Sequence, residues 1–205
     1  MSLNHVNEGI VKYTAEHRFS LAVKTPHWEE LNETRTLLYR LGLIGVYGNG
    51  TGYGNLSVRF ENNGFLISGT ATGTMPVLAA EDYCLVESFD IARNKVITRG
   101  PVEASSESMT HGAVYESRCA VNCVIHIHSR AVFDCMLRDN YPSTPESAAY
   151  GTPEIAAATG ELVREAGRDE GQIVLAGHDE GIVAYGANIE KALNLILELN
   201  KKYGV

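Results

Sequence analysis

Two histidines alternate with isoleucines in the run Val124–Ile125–His126–Ile127–His128–Ser129. In an extended strand alternate side chains share a face, so His126 and His128 point one way, about 7 Å apart at Cα, and the isoleucines point the other. Two imidazoles so placed can converge on one ion. A half-exposed strand with a polar wet face gives the same pattern, so the pair alone does not decide. His178, in GHDEGIVAYG, follows a second apolar strand and reads by itself as a turn residue beside Gly177 and Asp179. As a third imidazole it would leave a zinc site with an open fourth position, able to polarise a carbonyl or activate water.

A second stretch, GPVEASSESMTHGAVY, runs from a turn into a helix. Ser105 or Ser106 is expected to cap that helix, and the unpaired amides at its start also form an anion site. Glu107 falls in the first turn, where its charge suits the helix dipole whether or not it has a chemical role. His111, one turn on, shares its face and is either a partner to a ligand or a further buried imidazole. The loop GNGTGYGNLS has glycines at 48, 50, 52 and 54, a spacing that fits neither a dinucleotide-binding fold nor a P-loop. Its amides, like those of ISGTATG, can cradle phosphate or serve only as connections.

These residues need elements to hold them. The chain has 205 residues, 44% of them hydrophobic, with no charge block or Pro/Ser-rich linker to divide it, and reads as one domain after a leader through about Trp28. ELNETRTLLYRLGL reads as a helix with Leu31, Leu37, Leu38 and Leu41 near one face. NLSVRF, FLISG, YCLVES and KVIT read as four strands joined by short loops, which favours antiparallel pairing. SSESMTHGAVYES, AVFDCMLRD, TPEIAAATGELVREAG and ANIEKALNLILELNKKYG read as helices, and CVIHIHS, QIVLAG and GIVAYG as strands. The result is an α/β fold with a mixed, mostly antiparallel sheet and helices packed against it.

A net charge of −8 argues against nucleic acid or an acidic membrane as partner. No apolar run reaches 18 residues and the start lacks a signal-peptide pattern, so a cytoplasmic protein is expected. Cys84, Cys119, Cys123 and Cys135 form no CxxC pair and are expected to be reduced and packed as small hydrophobes. Cys123 has the wrong parity on its strand to join His126 and His128 in a structural zinc site.

Taken in order, GNLS, ISGT, SSExxxH, HxHS and a late GH before an apolar strand resemble the class II aldolase/adducin family, over about Leu31 to Leu199. The resemblance implies a three-layer α/β/α sandwich in residues 29–205 behind a leader at 1–28, and a zinc-dependent lyase of carbohydrate metabolism. Such an enzyme cleaves a small ketose phosphate through an enediolate and assembles as a homotetramer with sites between subunits. It also implies that His126, His128 and His178 bind the metal, that Glu107 is the acid/base, and that Asn55, Ser105, Ser106 and Thr70 hold the substrate phosphate. Cobalt, iron or manganese would suit a similar set of ligands.

The sequence departs from the family pattern in three places. ISGTATGTMP is longer by about one residue, the glycine loop before GNLS is expanded, and the sequence stops at Val205 where related aldolases continue into a tyrosine-bearing tail. Aldehyde protonation is therefore expected to need another donor, with Tyr141 and Tyr150 as candidates, or the reaction differs. An epimerase, dehydratase or decarboxylase could use the same metal to stabilise a similar enolate. A non-catalytic adducin-like interaction domain would lack the histidines and Glu107, and stoichiometric metal distinguishes it from an enzyme.

Overall fold

The computed structural model describes residues 11–61 and 64–204. Among the described residues are ten strands and five α-helices, β1 (Thr14–Phe19), α1 (Trp28–Arg40), β2 (Gly45–Val46), β3 (Gly52–Tyr53), β4 (Asn55–Arg59), β5 (Phe65–Ser68), β6 (Tyr83–Asp90), β7 (Lys95–Gly100), α2 (Ser108–Ser117), β8 (Cys123–His128), α3 (Arg130–Arg138), α4 (Pro153–Ala166), β9 (Gly171–Val174), β10 (Gly181–Gly186) and α5 (Ile189–Tyr203). Eight strands form one sheet in the order β1-β7-β6-β5-β4-β8-β10-β9, and β2 and β3 make a separate hairpin. Every pairing in the large sheet is antiparallel except that of β1 with β7.

Period-two alternation distributes the sheet between two helical layers. Leu56, Val58, Ile125, Ile127, Ile182 and Ala184 face α1, α3 and α5, meeting Leu31, Leu38, Phe133, Ile196 and Leu199. Phe65, Ile67, Val124, Val183 and Tyr185 face α2 and α4, meeting Met109, Val114, Ile155 and Val163. The architecture is thus an α/β/α sandwich around a mostly antiparallel sheet. β8 lies between β4 and β10 and is buried along its whole length, so its histidines stand on a covered face rather than a wet one.

The helix boundaries follow local chemistry. Asn188 caps α5 by accepting from the Lys191 amide at 2.9 Å, Pro153 opens α4, and Gly167 ends it in the left-handed region at φ 60°. Ser129, the serine of HxHS, caps α3 by accepting from the Val132 amide. In α1 the inward face is Leu31, Thr34, Arg35 and Leu38, while Leu37 and Leu41 are exposed, contrary to the expected stripe. The polar groups of Thr34 and Arg35 take the places next to Leu31 and Leu38 because Arg35 is used to hold a loop. Cys84 and Cys123 are packed in the core as expected, but Cys119 is exposed and Cys135 half-buried, since both lie at or beyond helix surfaces; all four thiols are free.

Of the leader, residues 1–10 lie outside the described residues, and Thr14–Phe19 forms a strand at the sheet edge, an element the sequence reading did not assign. No helix among the described residues is long and apolar enough to cross a membrane.

Candidate active site

The three histidines meet where β8 ends and β10 begins. Asn55 of β4 and Val183 of β10 flank His126 in register, and Gly181 stands opposite His128. His178 reaches the same point from the turn before β10, which is closed by hydrogen bonds from the His178 amide to Leu175 O (2.7 Å) and from the Gly181 amide to His178 O (2.9 Å). Gly181 has to be glycine at this meeting point, because a Cβ there would lie 2.9 Å from His178 O and 3.1 Å from His126 Cε1. Ring centroids are 4.7–4.9 Å apart for all three pairs, and the ligating atoms lie within 4.8 Å of one another.

Hydrogen bonds fix which nitrogen of two rings is available. His126 Nδ1 is 3.1 Å from Ile182 O, an acceptor only, so Nδ1 carries the proton and Nε2 the lone pair. His128 Nδ1 lies 2.8 Å from the Tyr47 hydroxyl, which itself donates to Glu180 Oε2 at 2.9 Å. The Tyr47 hydrogen is therefore committed to the carboxylate, its oxygen accepts from His128 Nδ1–H, and His128 Nε2 also presents a lone pair. The two Nε2 atoms are 3.0 Å apart.

Facing lone pairs at that distance repel unless a cation joins them, and a tetrahedral zinc ion with Zn–N of about 2.0–2.1 Å holds its nitrogens about 3.3 Å apart. Burial, with His178 adding to it, keeps the His126 pKa far below its ordinary value, in the neutral form a metal needs. Glu107 is 2% exposed and neither carboxylate oxygen has a hydrogen-bond partner among the described residues, although Oε1 lies 3.8 Å from His178 Nδ1. A carboxylate buried in this way is costly without a neighbouring positive charge. The donor set thus fits a divalent transition ion.

The expected ligands, base and phosphate-holding residues line one cleft of about 210 Å³: His126, His128, His178, Glu107, Asn55, Ser105, Ser106 and Thr70. The helix start differs from expectation. α2 begins at Ser108 with Glu107 at its N-cap, and neither Ser105 nor Ser106 caps it. Ser105 instead shapes the preceding turn, its Oγ accepting from the Glu107 amide at 3.3 Å and its carbonyl from the Ser108 hydroxyl at 2.6 Å. That turn lifts Glu107 out of the helix and into the cleft. His111 lies away from the metal group. It is fully buried, bonded to Ser57 Oγ at 2.7 Å, and burial lowers its pKa to about 3.

The two glycine-rich loops pack on each other across the cleft. A Cβ on Gly73 would fall 2.2 Å from Gly45 O and 2.8 Å from Gly52 Cα, so only glycine allows the 70–75 segment to touch the β2–β3 hairpin. Arg35, buried beneath, donates to the carbonyls of Met75 and Thr72 and so fixes that segment from the α1 side. Among the described lining residues there is no lysine or arginine, and the cleft offers hydroxyls and amides in their place. The Thr70 amide is already bonded to Glu103 O at 3.0 Å and so is not one of the free loop amides.

Tyr150 and Tyr141 are separated by the structure. Tyr150 lines the cleft, its hydroxyl donating to Ser106 Oγ at 2.5 Å and its ring centroid 4.5 Å from that of His178. Tyr141 packs in the opposite layer, 6.4 Å from the ring of Tyr203. Tyr47, Tyr53 and Glu180 were not found by sequence reasoning. The available signal was two tyrosines set among the glycines of a loop that otherwise has no use for aromatic rings.

The family model for the class II aldolase and adducin N-terminal domain matches residues 29–203. The chain belongs to this family. Its fold is similar to that of an L-fuculose 1-phosphate aldolase, with 24% identity, TM-score 0.65 and coverage of 88% of this chain and 84% of the other. L-fuculose-1-phosphate aldolase from Thermus thermophilus is similar at 22% identity and TM-score 0.61, covering 84% and 88% of the respective chains. YgbL of Klebsiella pneumoniae, a candidate aldolase/epimerase/decarboxylase, is similar at 21% identity and TM-score 0.63, covering 84% of each chain. No curated protein matches the chain.

Proposed function

We propose that this class II aldolase family member is a zinc-dependent lyase that cleaves a small ketose phosphate. The observation that carries this reading is the convergence of three buried imidazoles and a Glu107 carboxylate with no hydrogen bond among the described residues in one cleft lined by hydroxyls and loop amides. His126, His128 and His178 would hold the ion, which would supply Lewis-acid polarisation of the substrate carbonyl and a positive charge to offset the negative charge that develops. Glu107 moves the proton to and from the carbon left as an enediolate, a role for which a buried carboxyl is suited. Ser105, Ser106, Asn55, Thr70 and the loop amides hold the phosphate away from the reacting carbon. Ser106 accepts from Tyr150, so its own hydrogen is left for the ligand. Tyr150, which lines the same cleft, is the candidate for exchanging a second proton at the aldehyde oxygen.

The same reading makes residues 29–205 the catalytic domain and the assembly a cyclic homotetramer, both resting on family resemblance. An epimerase, dehydratase or decarboxylase would share the ion and the carboxylate and differ in the bond broken.

The test is deuterium exchange into dihydroxyacetone phosphate followed by NMR, with zinc-loaded protein and a chelated control. Metal-dependent exchange is expected. Its absence in protein shown to hold metal would overturn the dihydroxyacetone-phosphate aldolase reading and put the other three reactions ahead of it.

A further inference from the structure

We infer that Tyr47, carried by the expanded glycine loop, is a positioning residue for the metal centre: it locks His128 in the tautomer that aims Nε2 at the ion. The inference rests on the metal-site reading above and concerns how that site is held in this chain.

A chain of four side chains makes the lock. Arg130 Nε donates to Glu180 Oε1 at 3.3 Å and its guanidinium also pairs with Asp179, so Glu180 is anchored as an anion. Glu180 Oε2 takes the Tyr47 hydrogen at 2.9 Å, and the Tyr47 oxygen takes the His128 Nδ1 hydrogen at 2.8 Å. Tyr47 thus donates to Glu180 and accepts from His128. Reversing the His128 tautomer would leave an Nδ1 lone pair against a phenol oxygen whose hydrogen is engaged elsewhere. A carboxylate relayed to a ligand histidine in this way raises its basicity and fixes its ring plane. Here the relay passes through a phenol delivered by a loop.

The loop is built for that delivery. The Tyr47 amide donates to Thr51 O at 2.8 Å and the Gly50 amide to Tyr47 O at 2.9 Å, which close a tight hairpin. The Tyr53 ring packs against both Tyr47 and His128, with centroids 4.5 Å and 5.5 Å from theirs, and its hydroxyl donates to Gly42 O at 3.2 Å rather than to the histidine. Of the two tyrosines, Tyr47 therefore carries the polar contact and Tyr53 supplies packing.

Two measurements on the whole chain test this. Imidazole ¹⁵N NMR of the metal-free protein reports the His128 tautomer, and competition with a chromophoric chelator reports zinc affinity. In wild type, His128 is expected with its proton on Nδ1. Tyr47→Phe is expected to give a mixture of tautomers and to weaken zinc about 10- to 100-fold. Glu180→Gln keeps the shape but weakens the acceptor of the Tyr47 hydrogen, and is expected to shift both readouts in the same direction by less. Should Tyr47→Phe fail to fold, the glutamine variant carries the test. Wild-type His128 protonated on Nε2, or variants that bind zinc as tightly as wild type, would overturn the inference. Failure of wild type to bind any metal would instead overturn the metal-site reading, while the tautomer readout still judges the lock.

Discussion

Glu107 Oε1 lies 3.8 Å from His178 Nδ1, with both side chains almost fully buried and no hydrogen bond to either Glu107 oxygen among the described residues. A buried carboxylate that accepts no hydrogen bond and has only one histidine nitrogen, at 3.8 Å, beside it destabilises the metal-free fold. Glu107→Gln, which keeps the shape and removes the charge, is expected to melt at a higher temperature than wild type when both are metal-free. The same variant should bind zinc yet lose proton exchange into substrate by about 10²- to 10⁴-fold. Full exchange in the glutamine variant would remove Glu107 as the base.

Zinc should in turn stabilise the wild-type fold. An ion that binds only the native state adds about 2.7 kcal/mol when present at 100 times its dissociation constant. Thermal melts with and without zinc are expected to show that increment in wild type and none in His128→Ala, which removes one of three ligands. Equal shifts in the two proteins would place the ion somewhere other than the histidine cluster.

The histidine cluster was legible because both of its determinants are local. Period-two alternation puts His126 and His128 on one face, and the turn between β9 and β10 returns His178 to the end of the neighbouring strand. β1 was not legible: Thr14–Phe19 has no buried apolar face, and it becomes a strand only by pairing with β7, about 80 residues away in sequence. Tyr47 was hidden for a similar reason. Its position depends on Gly73 approaching Gly45 and Gly52, a backbone contact between segments whose glycines, read singly, signal only a turn. Leu37 and Leu41 were misplaced because the helical period alone gives an apolar stripe, whereas the carbonyls of Thr72 and Met75 draw Arg35 inward in their stead.

His111 makes the stability depend on pH. Burial lowers its pKa from an ordinary 6.5 to about 3, so between those values the unfolded chain holds one more proton at this site than the folded one. Its contribution is complete above pH 6.5 and is lost as pH falls towards 3. His111→Gln cannot titrate yet can still bond Ser57. Denaturant unfolding across this range should give a wild-type slope steeper than that of the variant by up to about 1.4 kcal/mol per pH unit. Parallel slopes would mean that His111 is protonated in the fold.

Arg35 reaches from α1 to the carbonyls of Thr72 and Met75, and is itself 1% exposed. Its guanidinium spans two acceptors at once, which a lysine ammonium cannot do with the same geometry. Arg35→Met removes charge-assisted bonds worth about 1.5–3 kcal/mol each and leaves the Met75 carbonyl without this donor, while Thr72 O keeps the Met75 amide at 3.1 Å. The 70–75 segment then loses its support beneath the cleft while His126, His128, His178 and Glu107 stay in place. Stability is expected to fall by about 2 kcal/mol or more. If the loop grips phosphate, KM should rise while kcat changes little, and Arg35→Lys should recover only part of the loss. A fall in kcat at unchanged KM would show instead that the segment acts on the reacting carbon and not on the phosphate.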